Sequence, residues 1–216
     1  MKNRFDLVIF DWDGTLFDSV SQIVASLQWA ALQHDVPLCA EAAKNIIGLG
    51  LPEAMQVLFP QHVALQPKIQ ASYSEHYVAN SHSQHWFDGV ENLLDELASQ
   101  HILLAVATGK SRVGLDRVLA QTNSASRFAA TRCASETLSK PHPMMLAQLL
   151  QHTGVPVSRA VMVGDTSYDL EMAKNIDMPR IGVSYGVHDA QTLKQYQPLA
   201  VANSIEQLTQ ELLVAK

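Results

Sequence analysis

The run Leu7 to Phe10 is uniformly apolar and stops at Asp11-Trp12-Asp13-Gly14. An unbroken apolar run of strand length predicts a strand buried on both faces. Side chains alternate along an extended chain, so Asp11 and Asp13 should project to one side of the strand's carboxyl end and Trp12 to the other. Two like charges held side by side are costly unless a cation or a shared proton relieves them, which points to a metal site or to acid-base chemistry. Gly14 lets the backbone turn sharply. Taken alone, the pattern equally fits a strand that ends in an ordinary Asp-Gly turn. The remainder of the chain has to decide between them.

After this strand the periodicity is helical for a long way. Asp18 or Ser19 can cap a helix running to about residue 34, with Val20, Ile23, Val24, Leu27, Ala30 and Ala31 at helical spacing. Further helices are predicted at about 40–47, 52–59 and 64–81, joined by Gly48-Leu49-Gly50 and Pro60. From Gly89 helices and apolar strands alternate. Strands are expected at 102–107, 128–133, 160–163, 180–183 and 199–202, with helices from Val90, at 112–121, 143–152 and 168–176, and from Ser204 to Val214. Such alternation predicts an α/β fold, a Rossmann-like parallel sheet covered by helices on both faces, with right-handed crossovers. The first strand is needed to complete that sheet. The division is therefore an α/β core of residues 1–17 and 83–216, interrupted by an all-helical insertion over 18–82.

At 216 residues and 47% apolar content the chain can bury a sizeable core. Fifteen basic residues against 21 acidic ones give a formal charge of -6, with no basic run suited to tracking a phosphate backbone, so nucleic acid is an unsuitable partner. No apolar run approaches membrane-spanning length, and Asp11 interrupts the apolar stretch behind Met1 to Asp6 before it could serve as a signal peptide. A cytoplasmic protein with no membrane association is expected. Cys39 and Cys133 fall in no paired motif and are expected to be free thiols.

In open parallel sheets ligands collect at the carboxyl ends of the strands. Three further polar segments lie at such ends. Thr108-Gly109-Lys110 follows the strand at 102–107, Lys140-Pro141 precedes a helix, and Gly164-Asp165 with Asp169 follows the strand at 160–163. A helix beginning near Thr166 would place Asp165 and Asp169 about one turn apart, facing one spot. Each residue has an ordinary reading: Thr108 as a helix cap, Lys140 as a solvated lysine, Asp165 and Asp169 as a capped helix start. Independent capping does not explain why these polar strand ends together offer groups suited to phosphate or metal.

These four segments, in this order and spacing, resemble the motifs of the haloacid dehalogenase superfamily, most of whose members are phosphatases. The helical insertion is similar to the cap of the phosphoglycolate phosphatase and β-phosphoglucomutase branch. The resemblance implies that Asp11 is a nucleophile that forms an aspartyl-phosphate, and that Asp13 is the general acid and base. It implies Mg²⁺ as cofactor, with Asp11, Asp165, the backbone carbonyl of Asp13 and, less directly, Asp169 as metal ligands. Asp169 could instead hold Lys140 or a metal-bound water. Thr108 and Lys140 are implied as catalytic groups that bind the phosphoryl oxygens, with the backbone amides near Trp12 and Gly109 assisting. Family dehalogenases typically lack a carboxylate at the position of Asp13, so Asp13 favours phosphoryl transfer over halide release.

The partner implied is a small phosphorylated metabolite such as phosphoglycolate or a sugar phosphate. Two alternatives stay open at this level: a phosphomutase in the same fold, and a non-catalytic protein that binds phosphate and metal. The Gly48-Leu49-Gly50-Leu51 loop resembles the cap loop that faces the site. No Arg or Lys lies between residues 45 and 67, which leaves Lys44, Lys68, Lys110 and Arg112 as candidates for recognising a second charged group. Asn175-Ile176-Asp177-Met178 stands where relatives carry a small Ala-Gly pair, and the segment 121–127 lacks their usual glycine. His82 and His85, with His76 nearby, have a spacing that would suit a metal. A surface or hinge role is the expectation.

Overall fold

The computed structural model describes residues 3–81 and 85–213. Strands β1 (Leu7–Phe10), β2 (Leu103–Thr108), β3 (Ala130–Cys133), β4 (Ala160–Gly164), β5 (Arg180–Val183) and β6 (Ala200–Ala202) form one six-stranded sheet in the order β3-β2-β1-β4-β5-β6. All five pairings are parallel. The apolar run that opens the chain is thus the centre of the sheet. Its alternation splits the core in two. Val8 and Phe10 join Val106, Val161 and Val163 in a cluster on one face, while Leu7 and Ile9 join Ala105, Ala107 and Met162 on the other.

Helices close both faces, as a fully buried parallel sheet requires. The helix at Val90–Ser99, the helix at Arg112–Gln121 and the helix at Ile205–Leu213 cover the Val8 face through Leu93, Leu115 and Leu208. The helix at Met144–Thr153 and the helix at Ser167–Lys174 cover the Leu7 face through Leu146, Leu149 and Met172.

Between β1 and the helix at Val90–Ser99 lie α1 (Val20–Leu32), α2 (Ala40–Asn45), α3 (Leu51–Leu58) and α4 (Gln66–Asn80). Their buried side chains, including Leu27, Met55, Phe59 and Ile69, form a further cluster, joined by Val187 from beyond β5. In chain order the later helices are α5 (Val90–Ser99), α6 (Arg112–Gln121), α7 (Met144–Thr153), α8 (Ser167–Lys174), α9 (Ala190–Lys194) and α10 (Ile205–Leu213). No helix among the described residues is long and apolar enough to cross a membrane.

Local differences from the sequence reading have local causes. The helix expected over 64–81 opens as a 3-10 turn, Val63–Leu65, and becomes α-helical at Gln66, with Pro67 in the first turn where a missing N–H costs nothing. The short α9 was not anticipated; the Asp189 side chain caps it by accepting from the Thr192 amide at 2.8 Å. Where the relatives' glycines are missing, Asn123 and Asp177 take φ +49° and +53°. Asn and Asp tolerate that left-handed conformation better than other side chains, so both helix ends keep their shape.

Cys39 is exposed and Cys133, at the end of β3, is buried; both are free. Burial pushes the Cys133 thiol up to about 12. The expected outcome is one fast-reacting thiol in the native protein and two in denaturant, read by titration with a chromogenic disulfide. Two fast native thiols would contradict this packing.

Candidate active site

The carboxyl ends of β1, β2 and β4 converge. Asp11 continues the β1 ladder, its amide donating to the Val163 carbonyl at 2.9 Å. Its Oδ1 accepts from Lys140 Nζ at 2.6 Å, and the same ammonium lies 2.7 Å from Asp169 Oδ1. All three side chains are buried. Asp169 is fixed from behind by a capping box: its Oδ2 accepts from the Thr166 hydroxyl at 2.6 Å and the Thr166 amide at 3.2 Å, while the Thr166 hydroxyl accepts from the Asp169 amide. Asp165 precedes that cap and accepts from the Thr15 hydroxyl at 2.9 Å and the Val187 amide at 2.8 Å. Gly14, at φ +81°, makes this possible, because a Cβ there would lie 2.2 Å from Asp165 Oδ2.

Asp11, Asp165 and Asp169 each offer a carboxylate oxygen, and these oxygens lie within 4.8 Å of one another. Burial pushes the Asp11 carboxyl well above its ordinary value; Lys140 pulls it back while Asp169 and Asp165 push it further up. Burial and Asp169 likewise push Asp165 up to about 7. Burial works against the Lys140 ammonium, yet Asp11 and Asp169 outweigh it and hold its pKa above the ordinary lysine value. Three carboxylates against one ammonium leave a formal excess of two negative charges in a buried space. Asp11 Oδ2 is buried with no hydrogen-bond partner among the described residues. An all-oxygen set with that excess and that open atom fits a hard divalent cation.

Asp13 sits apart from the triad of carboxylates. Its Oδ1 lies 2.9 Å from Lys110 Nζ and accepts from the Ser19 hydroxyl at 2.5 Å. Ser19 therefore does not cap α1 with its side chain, as its position before the helix suggested; its hydroxyl is spent on Asp13. The Lys110 pKa is raised by Asp13 and Tyr77 in spite of burial, and its ammonium donates to the Tyr77 hydroxyl at 3.3 Å. Thr108, buried at the end of β2, accepts from the Lys110 amide at 3.2 Å. The Trp12 side chain turns away into an aromatic group with Phe17, Trp86 and Phe128, at ring separations of 5.7, 5.1 and 6.2 Å. Only its backbone remains for the site.

A cavity of about 490 Å³ opens above Asp11 and Asp13, between the core and the helical insertion. The insertion's Gly48-Leu49-Gly50 loop forms part of its wall and rests on the core. A Cβ on Gly109 would lie 2.4 Å from the Leu49 carbonyl oxygen, so only glycine admits this approach. The Gly50 amide donates to the Ser139 hydroxyl at 2.7 Å, and the Tyr168 hydroxyl donates to the Asn45 carbonyl at 2.9 Å.

The first, second, third and fourth motif segments thus meet in one place. Of the four cations considered for recognition, Lys110 lines the cavity, whereas Arg112 is bound to Glu136, Asp116 and Thr131 outside it. Sequence reading assigned no site role to Ser19, Tyr73, Tyr77 and Arg117, and none to Thr15 beyond its place in the first motif segment. A hydroxyl just before a helix, or an aromatic on one, carries no motif of its own. For Arg117 there was a signal, its place five residues after Arg112 on the helix that follows Thr108-Gly109-Lys110. His76 accepts or donates a hydrogen bond with Ser26 at 3.0 Å and stacks on Trp29, which gives it a packing role; His82 lies outside the described residues.

Residues 8–183 match the family of haloacid dehalogenase-like hydrolases. The chain belongs to that family. As a haloacid dehalogenase-like hydrolase it is 32% identical to a Dickeya dadantii protein named "Probable phosphatase IndB", over 94% of this chain and 91% of the other. It is 26% identical to a phosphoglycolate phosphatase of Vibrio parahaemolyticus, over 97% and 96% of the two chains. Among solved structures, a phosphatase described as predicted, from Clostridium acetobutylicum, superposes with a TM-score of 0.86 at 25% identity, covering 96% of this chain and 97% of the other. The Rossmann-like sheet and its motif ends are accordingly those of a haloacid dehalogenase-like hydrolase.

Proposed function

We propose that this hydrolase is a cytoplasmic, Mg²⁺-dependent phosphatase that cleaves a small phosphomonoester through an aspartyl-phosphate. The division of labour is between a core of residues 1–17 and 83–216 and a cap of residues 18–82. The observation that carries the reading is the state of Asp11: one oxygen held by Lys140 at 2.6 Å, the other with no hydrogen-bond partner among the described residues, in the floor of a cavity it shares with Asp13. A carboxylate so placed is oriented for attack and keeps a free lone pair.

Asp11 attacks phosphorus and the P–O bond to the alcohol breaks, the departing oxygen taking a proton from Asp13. Asp13, now ionised, removes a proton from water, whose oxygen attacks the aspartyl-phosphate; inorganic phosphate leaves and Asp11 is regenerated. Lys110 and Ser19 hold Asp13 in place for both transfers. Lys140, the Thr108 hydroxyl and the backbone amides near Trp12 and Gly109 are the donors assigned to the phosphoryl oxygens, where charge develops. Mg²⁺, held by Asp11, Asp165 and the Asp13 carbonyl, would supply the positive charge that lets a carboxylate approach a phosphate dianion. Asp169 is committed to Lys140 and Thr166, which suits it to orienting rather than direct coordination.

The test is phosphate release from an aryl phosphate, expected with Mg²⁺ and lost with excess chelator. Phosphate release undiminished by chelator would refute the metal dependence. The metal can also be read without activity. Saturating Mg²⁺, at about a hundredfold its Kd, stabilises the folded state by about 2.7 kcal/mol, which at this size raises Tm by roughly 5–10 °C. Asp165→Asn should remove most of that rise. With Asp165 pushed up to about 7, protons compete with the cation, so the rise should shrink as pH falls below about 7. A pH-independent rise, or one kept by Asp165→Asn, would place the ion elsewhere.

A further inference from the structure

The cavity wall contributed by the insertion is uncharged. Ile23, Leu27, Ile47, Leu49, Leu51 and Tyr73 form much of it, and among the described residues no Lys, Arg, Asp or Glu of the insertion lines it. On the core side Lys110 Nζ lies 2.9 Å from Asp13 Oδ1 and donates to the Tyr77 hydroxyl at 3.3 Å, so it is engaged in holding Asp13 rather than open to a ligand. Arg117 lies with its guanidinium over the Tyr77 ring, 5.4 Å from the centroid, and its Nε is buried without a hydrogen-bond partner among the described residues. Tyr73 and Tyr77 stand together, their rings 5.6 Å apart and inclined by 30°. At about 490 Å³ the space falls within the ~300–1,000 Å³ range of pockets that bury drug-sized ligands.

A two-carbon acid would occupy little of this volume. Its carboxylate would face aliphatic wall, with Arg117 as its one available counter-ion, and most of the apolar surface would stay wet. A larger apolar group would displace that water and gain affinity in proportion to the area covered. We propose that the alcohol half of the substrate is a bulky, predominantly apolar group, read by Leu27, Leu49, Tyr73 and Tyr77, rather than a short carboxylic acid. The inference rests on the phosphatase reading above.

The experiment compares kcat/KM for primary alkyl phosphates, from ethyl through butyl and hexyl to phenylpropyl, with 2-phosphoglycolate alongside. The primary alkyl esters share one leaving-group chemistry, so differences report the pocket. Each buried methylene is expected to raise kcat/KM by up to about fourfold, so the four methylenes that separate hexyl from ethyl phosphate give a gain of up to roughly 250-fold. Tyr73→Ala should flatten the series, and the wild-type series stands as the test even if that variant folds poorly. A flat wild-type series, or a preference for 2-phosphoglycolate, overturns the inference and leaves the phosphatase reading standing. Absence of Asp11-dependent phosphate release from every ester overturns both.

Discussion

Asp11→Asn is expected to reduce kcat by at least about 10⁴-fold while the protein stays folded, because a neutral amide of the same shape is a far weaker nucleophile than a carboxylate and does not form the aspartyl-phosphate. Stability should not fall. Asp11 is buried, its carboxyl is pushed well up by burial, and Lys140 keeps a partner in Asp169 at 2.7 Å. Removing one of three crowded carboxylates relieves repulsion as much as it removes attraction. Asp13→Asn should behave differently. Loss of proton transfer costs about 10²–10⁴ with alkyl esters, whose leaving oxygen needs the proton. With an aryl phosphate the first step needs no acid, so a burst of phenol should precede a stalled second step, and a phosphorylated protein should be detectable by mass spectrometry. Near-wild-type turnover in Asp11→Asn, with its circular dichroism unchanged, would refute the nucleophile assignment; a Asp13→Asn enzyme with no burst would refute the two-step scheme.

Much of the sheet was legible because buried parallel strands are short apolar runs and the helices between them repeat every three to four residues. Arg112–Gln121 and Arg180–Val183 fall where the pattern put them. The elements that escaped were governed by single side chains. The α9 helix is held by the Asp189 cap and buries only Leu193, too little to leave a periodic signature. The 3-10 opening at Val63–Leu65 follows from Pro67, whose effect on one turn is not separable from a helix start by sequence.

The candidate site was legible to the extent that it depends on strand ends. A strand end is fixed by topology, and Asp11, Thr108 and Asp165 follow directly from β1, β2 and β4. What could not be read were pairings across the fold. Lys110 was a candidate for substrate charge, yet it is consumed by Asp13; Arg112 was another, yet Glu136 and Asp116 hold it. Ser19 looked like a helix cap and serves Asp13 instead. Apart from the Arg112–Asp116 pair one turn apart on α6, the decisive fact in each case is a distance between residues far apart in the chain or turned by a local bend, and hydropathy patterns carry no such distances. The uncharged wall of the cavity is of the same kind. It is assembled from α1, α3, α4 and the Gly48 loop, none of which is unusual alone.

Lys140 provides the largest expected effect on stability. Its ammonium is buried, bridges Asp11 and Asp169 at 2.6 and 2.7 Å, and faces Asp165 beyond them. Lys140→Met keeps the aliphatic stem and removes the charge, leaving three buried carboxylates with no counter-ion. Breaking a buried pair from one side costs about 3–5 kcal/mol, so without Mg²⁺ Tm should fall by roughly 10 °C. The sign of the pH dependence follows from the carboxylates. Asp11 and Asp165 have folded-state pKa values above their unfolded ones, so their ionisation opposes folding, and the opposition fades as pH falls and the two groups take up protons. The deficit of Lys140→Met should therefore be largest above about pH 7 and narrow towards about pH 5. Adding Asp169→Asn should recover part of it, since the amide no longer needs the ammonium. A Tm within about 2 °C of wild type at neutral pH would mean that the carboxylates are relieved by something other than Lys140, and the charge balance argued for the divalent cation would have to be redrawn.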